Sequence, residues 1–323
     1  MAYGGVWRDT SKTGPKLYMS ICPLTRLVFG CVILLTGCAD VVDKVGLAAT
    51  SDPDSKLRLD CKSIDCNTAA AAMQKRGQTF AANGEYDRAI TAFTTGIRLN
   101  PKHLSLYSDR GYAYIQKEQY DQAIADFTKA LQMNPWIAQY YNNRGFAYFQ
   151  KGEYELASSD WVSAIKLDPM YASAHLNLGN LYTKMEQYDQ AIPYYNRALW
   201  LDPRNSWVHN NRGAVYLHKG QYDEAILDFT KALEIDPNSA PAYGNRGEAY
   251  FRKGQYDLAI SDLTKSLETF PRNANLYSYR ARSHYSLKNY DKAWIDVRKA
   301  QELGATIDPG FLDRLREASG SAR

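Results

Sequence analysis

Between Ala70 and Leu303 the apolar residues fall into a pattern that returns every 34 residues. Counted from Ala70, Leu104, Ala138, Ala172, Ser206, Ala240 and Ala274, each period carries two clusters. Large, often aromatic residues stand at positions 4 and 11 with a small residue at 8 between them. Small residues at 20 and 27 then flank a large one at 24. The period from Ala138 reads Tyr141, Gly145, Tyr148, then Ala157, Trp161, Ala164; the period from Ser206 reads His209, Gly213, Tyr216, then Ala225, Phe229, Ala232. Spacings of four and three place each cluster on one helical face, so the pattern predicts two amphipathic helices per period, A and B.

The punctuation agrees. Gly77, Gly111, Gly145, Gly179, Gly213 and Gly247 hold position 8, and Ala281 takes the next step. Pro101, Pro135, Pro169, Pro203, Pro237 and Pro271 follow Asp or Asn in most periods, and a residue before proline is pushed out of helical geometry, so helix B stops there. Gly84, Gly152, Gly220 and Gly254 sit at position 15, where helix A must end and turn. One such pair of helices cannot bury its apolar face alone; neighbours must stack into a continuous core.

A period of this length with these residues resembles the tetratricopeptide repeat. The resemblance covers about three quarters of the chain and implies an all-α, right-handed superhelical solenoid of about seven helix-turn-helix repeats. The repeats run 70–103, 104–137, 138–171, 172–205, 206–239, 240–273 and 274–303. The outermost depart most from the pattern, with Gly96 at position 27 of the first and Ala281, His284 and Val297 in the last, as expected where a stack meets solvent. Residues 304–323 are expected to supply a capping helix, opened by Asp308-Pro309 with Phe311, Leu312 and Leu315 on one side.

The beginning of the chain has a different character. A short, weakly positive lead-in from Met19 precedes an apolar run from Leu27 to Leu35, too short to span a bilayer comfortably. Leu35-Thr36-Gly37-Cys38 resembles the bacterial lipobox, which implies removal of residues 1–37 and lipid on Cys38. Residues 1–18 fit poorly ahead of such a signal, so Met19 is the expected start. The alternatives are an uncleaved anchor or a chance Gly-Cys. In such lipoproteins Asp directly after the cysteine resembles an inner-membrane retention signal; Ala39 holds that place here and Asp40 comes second, so the resemblance implies the periplasmic face of the outer membrane rather than the inner. Residues 39–69 read as a tether. Cys22 and Cys31 would leave with the signal, which makes Cys61 and Cys66 a pair in an oxidising compartment; a disulfide is expected, with two free thiols as the alternative.

A further regularity concerns charge. Position 7 is Arg76, Arg110, Arg144, Arg212, Arg246 or Arg280, and position 23 is Asp126, Asp160, Asp228, Asp262 or Asp296. The fourth repeat replaces both at once, with Leu178 and Tyr194. The coupling predicts an ion pair between helices A and B of one repeat, with Arg76/Ala92 as the exception.

No catalytic constellation, phosphate loop or metal motif emerges, so no cofactor or metal is expected and the chain reads as non-enzymatic. A net charge of +4 without a basic stripe gives no reason to expect nucleic acid. What remains is a surface. Positions 2, 6, 9 and 13 of helix A lie about 160° from its core stripe, and the resemblance implies that this face lines a concave peptide-binding groove. Asn143, Asn177, Asn211 and Asn245 hold position 6, a row similar to the asparagine ladder in the tetratricopeptide part of O-linked N-acetylglucosamine transferase. Around them Tyr112, Phe146, Phe149, Trp207 and Phe251 supply aromatic area, and Lys184, His218 and Arg252 a basic row at position 13. The expected function is a scaffold lipoprotein that binds envelope proteins or peptides. Alternatives are an assembly factor working through its outer face or its ends, and a cytoplasmic adaptor if the leader is misread.

Overall fold

The computed structural model describes residues 65–320, which contain fifteen α-helices and no strand. The chain divides into two compact units that meet in sequence at Asn177 and Leu178. In the first stand α1 (Cys66–Ala82), α2 (Tyr86–Leu99), α3 (Leu104–Gln116), α4 (Tyr120–Met133), α5 (Ala138–Lys151) and α6 (Tyr154–Leu167). Helix α7 (Ala172–Lys184) carries the division. The second unit continues with α8 (Tyr188–Leu201), α9 (Ser206–His218), α10 (Tyr222–Ile235), α11 (Ala240–Arg252), α12 (Tyr256–Thr269), α13 (Ala274–Ser286), α14 (Tyr290–Glu302) and α15 (Pro309–Ser319). This is an all-α repeat solenoid: odd-numbered helices up to α13 are the A helices, even-numbered ones the B helices.

The small residue at position 8 is required by the large one at 24. A Cβ added to Gly77 would lie 2.4 Å from the Phe93 ring, one on Gly179 2.7 Å from Tyr195, and one on Gly213 2.8 Å from Phe229. The last repeat shows the converse: with Val297 at position 24, position 8 admits Ala281, and both are fully buried.

Position 4 closes four of the junctions. The proline of the preceding repeat leaves its carbonyl facing the next helix A, and Tyr107, His175, His209 and Tyr277 bond to the carbonyls of Pro101, Pro169, Pro203 and Pro271 at 3.1–3.2 Å. Three histidines thus serve packing: His175 and His209 here, and His284, buried at position 11, where burial lowers its pKa.

The turn at position 15 is left-handed throughout. Gly84, Gly152, Gly220 and Gly254 have φ of 74–81°, and Glu118, Glu186 and Lys288 hold φ near 60° in the other three. A side chain in that region costs about 1 kcal/mol. Glu186→Gly is therefore expected to stabilise the protein by up to about 1 kcal/mol, seen as a higher midpoint in thermal unfolding. An unchanged or lowered midpoint contradicts this.

Helix α1 begins at Cys66, inside the stretch that the sequence pattern reads as tether. Asp65 caps it, accepting from Asn67 N at 3.1 Å and Thr68 N at 3.3 Å, and the alanines that follow propagate the helix. Cys66 is disulfide-bonded. Cys61, its expected partner, and the leader with Cys38 lie outside the described residues. At the other end Asp308 caps α15, and Ile307, Phe311 and Leu315 pack on Ala293, Val297 and Ala300 of α14, covering the last repeat.

Candidate functional site

The arginine at position 7 joins three helices. Arg144 gives Nε and Nη2 to the two carboxylate oxygens of Asp160, both at 2.8 Å, and Nη1 to Thr128 Oγ1 of the preceding repeat at 3.1 Å. Arg110 does the same with Asp126 and Thr94, Arg246 with Asp262 and Thr230, and Arg280 with Asp296 and Thr264. Arg212 pairs with Asp228 and reaches Asn196. Tyrosines from positions 4 and 11 flank the guanidinium, as Tyr141 and Tyr148 do for Arg144. The predicted pair is present in five repeats; in the fourth, Leu178 is fully buried and Tyr194 stacks on Tyr182 at 5.4 Å.

A second set of ion pairs was not predicted. Lys117, Lys151, Lys219 and Lys253 at position 14 pair with Asp87, Asp121, Asp189 and Asp223 at position 18 of the preceding repeat. The signal was present: each lysine follows its aspartate by 30 residues. These pairs are solvent-exposed on the acid side and fix register more than they stabilise.

Asp228 differs from its counterparts because His209 Nδ1 also faces its Oδ1 at 3.2 Å. Burial alone would raise this carboxyl, but the bonds from Arg212 and His209 outweigh it and hold its pKa below the usual value. A depressed folded-state pKa contributes stability above the unfolded value, near 4, that is lost as pH falls through the folded one. His209→Phe keeps a ring at position 4 but removes the imidazole, which donates to both Pro203 O and Asp228 Oδ1 in its doubly protonated form. Its stability deficit against the parent is expected to narrow between pH 5 and pH 3 in denaturant titrations; a deficit constant with pH contradicts the assignment.

The A helices present the candidate binding face. The position 6 asparagines do lie on it, and each has at least one end of its amide bonded within the protein, while Asn245 Oδ1 is buried without a hydrogen-bond partner. In the first unit Asn177 Nδ2 donates to Asn142 Oδ1 at 3.0 Å, and Asn142 Nδ2 to Asn143 Oδ1 at 3.1 Å. In the second, Asn211 Nδ2 donates to Asn180 Oδ1 at 2.9 Å and Asn245 Nδ2 to Asn210 Oδ1 at 3.2 Å. Asn143, Asn177 and Asn245 are buried and Asn211 is half-buried. The reason is proximity: successive A helices approach closely enough for position 6 to meet positions 5 and 9 of the preceding repeat. The same rule holds where position 6 changes. Gln74 and Gln78 donate to Asp109 at 2.8 and 2.9 Å, and Tyr279 OH donates to Glu248 at 2.5 Å. The expected amide ladder is thus a seam between repeats.

The aromatic residues divide similarly. Phe146 is buried, Phe149 packs against Tyr154 and Trp161, and Phe251 packs between Tyr256 and Tyr279, so these rings wall the face more than they project from it. Tyr112 and Trp207 are half-buried. Lys184, His218 and Arg252 are exposed in the second unit. The His218 ring stacks on Tyr188 at 5.1 Å, and Arg252 Nη2 bonds Glu248 Oε1 at 3.2 Å and Tyr279 OH at 3.3 Å. Glu248 is almost fully buried; burial raises its pKa, against the bonds from Tyr279 and Arg252. The face is therefore a largely polar surface on which Lys184, His218 and Arg252 stand exposed at position 13 of three successive repeats. Among the described residues no cluster of His, Cys, Asp and Glu is placed to hold a metal ion, and no helix is long and apolar enough to cross a membrane.

Comparison with known families identifies the fold. Profiles described as tetratricopeptide repeat match residues 70–103, 172–205, 206–239 and 229–261, and one described as TPR repeat matches 111–152 and 147–186. Together they cover more than half of the chain, which belongs to the tetratricopeptide repeat family. Among solved structures, a tetratricopeptide repeat protein from Parabacteroides merdae aligns with a TM-score of 0.56 and 20% identity, over 79% of this chain and 100% of that one. Pseudomonas aeruginosa pilF aligns with a TM-score of 0.61 and 17% identity, over 67% and 99%. Cut9 with Hcn1, from an APC/C hetero-tetramer, aligns with a TM-score of 0.59 and 19% identity, over 80% and 50%. These similarities establish the fold. None of the curated proteins matches the chain.

Proposed function

We propose that this chain is a non-catalytic adaptor, held on the periplasmic side of a bacterial envelope membrane by lipid on Cys38, that recruits protein partners through the A-helix face of its repeats. The observation that carries the reading is the margin formed by Lys184, His218 and Arg252, exposed at one position of three successive repeats beside half-buried Trp207 and Phe251. A partner segment bearing carboxylates meets complementary charge there, and the half-buried rings offer area that is already ordered, which lowers the entropy of binding. The amide seam below holds that margin in place rather than reading the partner.

Charge reversal at two of these positions, Lys184→Glu with Arg252→Glu, tests the binding half. Protein that co-purifies with the parent after in-cell crosslinking is expected to fall at least tenfold with the variant while the circular dichroism spectrum stays unchanged. Undiminished recovery contradicts the site. Metabolic labelling with palmitate tests the anchor: label is expected on the parent and absent from Cys38→Ser.

A further inference from the structure

Trp136, the most exposed large apolar side chain among the described residues at 78%, and Met170, at 55%, occupy the same position of successive repeats. Each follows the proline that ends a B helix and precedes the next A helix by two residues, so both stand on the loop edge of the first unit. Pro135 and Pro169 beside them are exposed as well. Both loops are fixed: Trp136 N donates to Asn134 Oδ1 at 3.0 Å and Met170 N to Asp168 Oδ1 at 2.9 Å. The corresponding residue of the first repeat is exposed Lys102. In the second unit Arg204, Asn238 and Arg272 hold this position, so the apolar pair belongs to the first unit alone.

The same edge is where the chain enters the fold. Asn100, in the first of these loops, donates to Asn67 Oδ1 in the opening turn of α1 at 2.8 Å. The 26 residues between Cys38 and Asp65 therefore join the unit on the side that carries Trp136 and Met170.

We propose that this edge rests on a lipid bilayer, with Trp136 and Met170 entering the boundary between headgroups and acyl chains and Lys102 meeting anionic headgroups. The inference deepens the reading of Cys38 as lipid-bearing and rests on it. A tryptophan suits that depth because its ring is apolar on its faces and polar at the indole N–H. Two apolar side chains on a free protein would hold a membrane weakly. On a chain already anchored by lipid the contact is intramolecular, and the local concentration set by the tether makes a small patch sufficient. The tether can reach about 90 Å when extended, so it permits this contact without forcing it; the apolar pair selects the edge.

The test uses the full mature protein, purified with its lipid and reconstituted in phosphatidylethanolamine–phosphatidylglycerol vesicles with or without acyl-chain-brominated lipid. Bromine quenches only tryptophans that enter the bilayer boundary. The expected result is a quenched component of emission in the parent that is lost in Trp136→Ser and kept in Trp200→Phe, an exposed tryptophan of the second unit. The highly exposed Trp136 can be replaced without unfolding the repeat, and circular dichroism checks this. Equal quenching in the parent and Trp136→Ser overturns the proposal, as does an absence of quenching. Capture of a protein in cells from a photo-crosslinker at residue 136, with no quenching in vesicles, assigns the edge to a protein partner and also overturns it. Intact mass separates the two readings: an acylated chain with unquenched Trp136 removes this inference alone, and a chain without acyl groups removes both.

Discussion

Trp161→Ala is expected to destabilise the protein by about 3–5 kcal/mol, the range for truncating a buried aromatic side chain. Trp161 is fully buried at position 24 of the third repeat and faces Gly145, where an added Cβ would lie 2.9 Å from its Nε1. Gly145 has no side chain to move into the void, and Phe149, the ring packed against Trp161, is held by Tyr154 on its other contact. The indole N–H also donates to the Asn142 carbonyl at 3.1 Å, so the substitution leaves that buried acceptor without this partner. Stability in a repeat array is close to a sum of repeat and nearest-neighbour terms. The loss is therefore expected to stay local: hydrogen exchange should accelerate in α5 and α6 and remain unchanged in α11 to α14. Uniform acceleration over all helices contradicts nearest-neighbour behaviour.

Asp262→Ala is expected to cost about 3–5 kcal/mol, because it strands a charge. Arg246 then keeps only Thr230, at 3.0 Å, of its protein hydrogen-bond partners, while Tyr243 and Tyr250 flank the guanidinium at 5.7 Å. The fourth repeat shows how the loss can be repaired, since Leu178 and Tyr194 stand where arginine and aspartate stand elsewhere. The double variant Arg246→Leu with Asp262→Tyr is expected to recover most of the deficit, as replacement of a buried ion pair by apolar groups often does. Guanidinium titrations of the parent, single and double variants check it. A double variant no more stable than the single one would show that the apolar solution does not transfer between repeats.

That pair was legible in the sequence for a specific reason: seven internal copies act as their own comparison, and Leu178 changes together with Tyr194. The fold was legible for the same reason, since glycine at 8 and a large residue at 24 recur in step. The extra turn of α1 was hidden because the period begins at Ala70, whereas the cap at Asp65 lies outside it. The fate of the asparagines was not legible. A helical wheel says which way Asn177 points relative to its own core stripe, but not how near the preceding A helix lies, and that distance turned an open ladder into a seam. Phe149 and Phe251 were misread for a simpler reason: both stand at position 12, about 40° around the wheel from core position 8, and Tyr154, Trp161, Tyr256 and Tyr279 from neighbouring helices meet them. The lysine–aspartate pairs between repeats needed only a search at a spacing of 30 residues.

The central claim is that partners bind the A-helix face rather than the outer B-helix surface. In-cell photo-crosslinking from two exposed positions of the second unit tests it most directly: Lys184 on the A-helix margin, and Leu227 on α10, 62% exposed. The account predicts that a partner is captured from residue 184, that capture is lost on Arg252→Glu, and that residue 227 captures nothing in common with it. Capture of the same partner from residue 227 but not from residue 184 would contradict it.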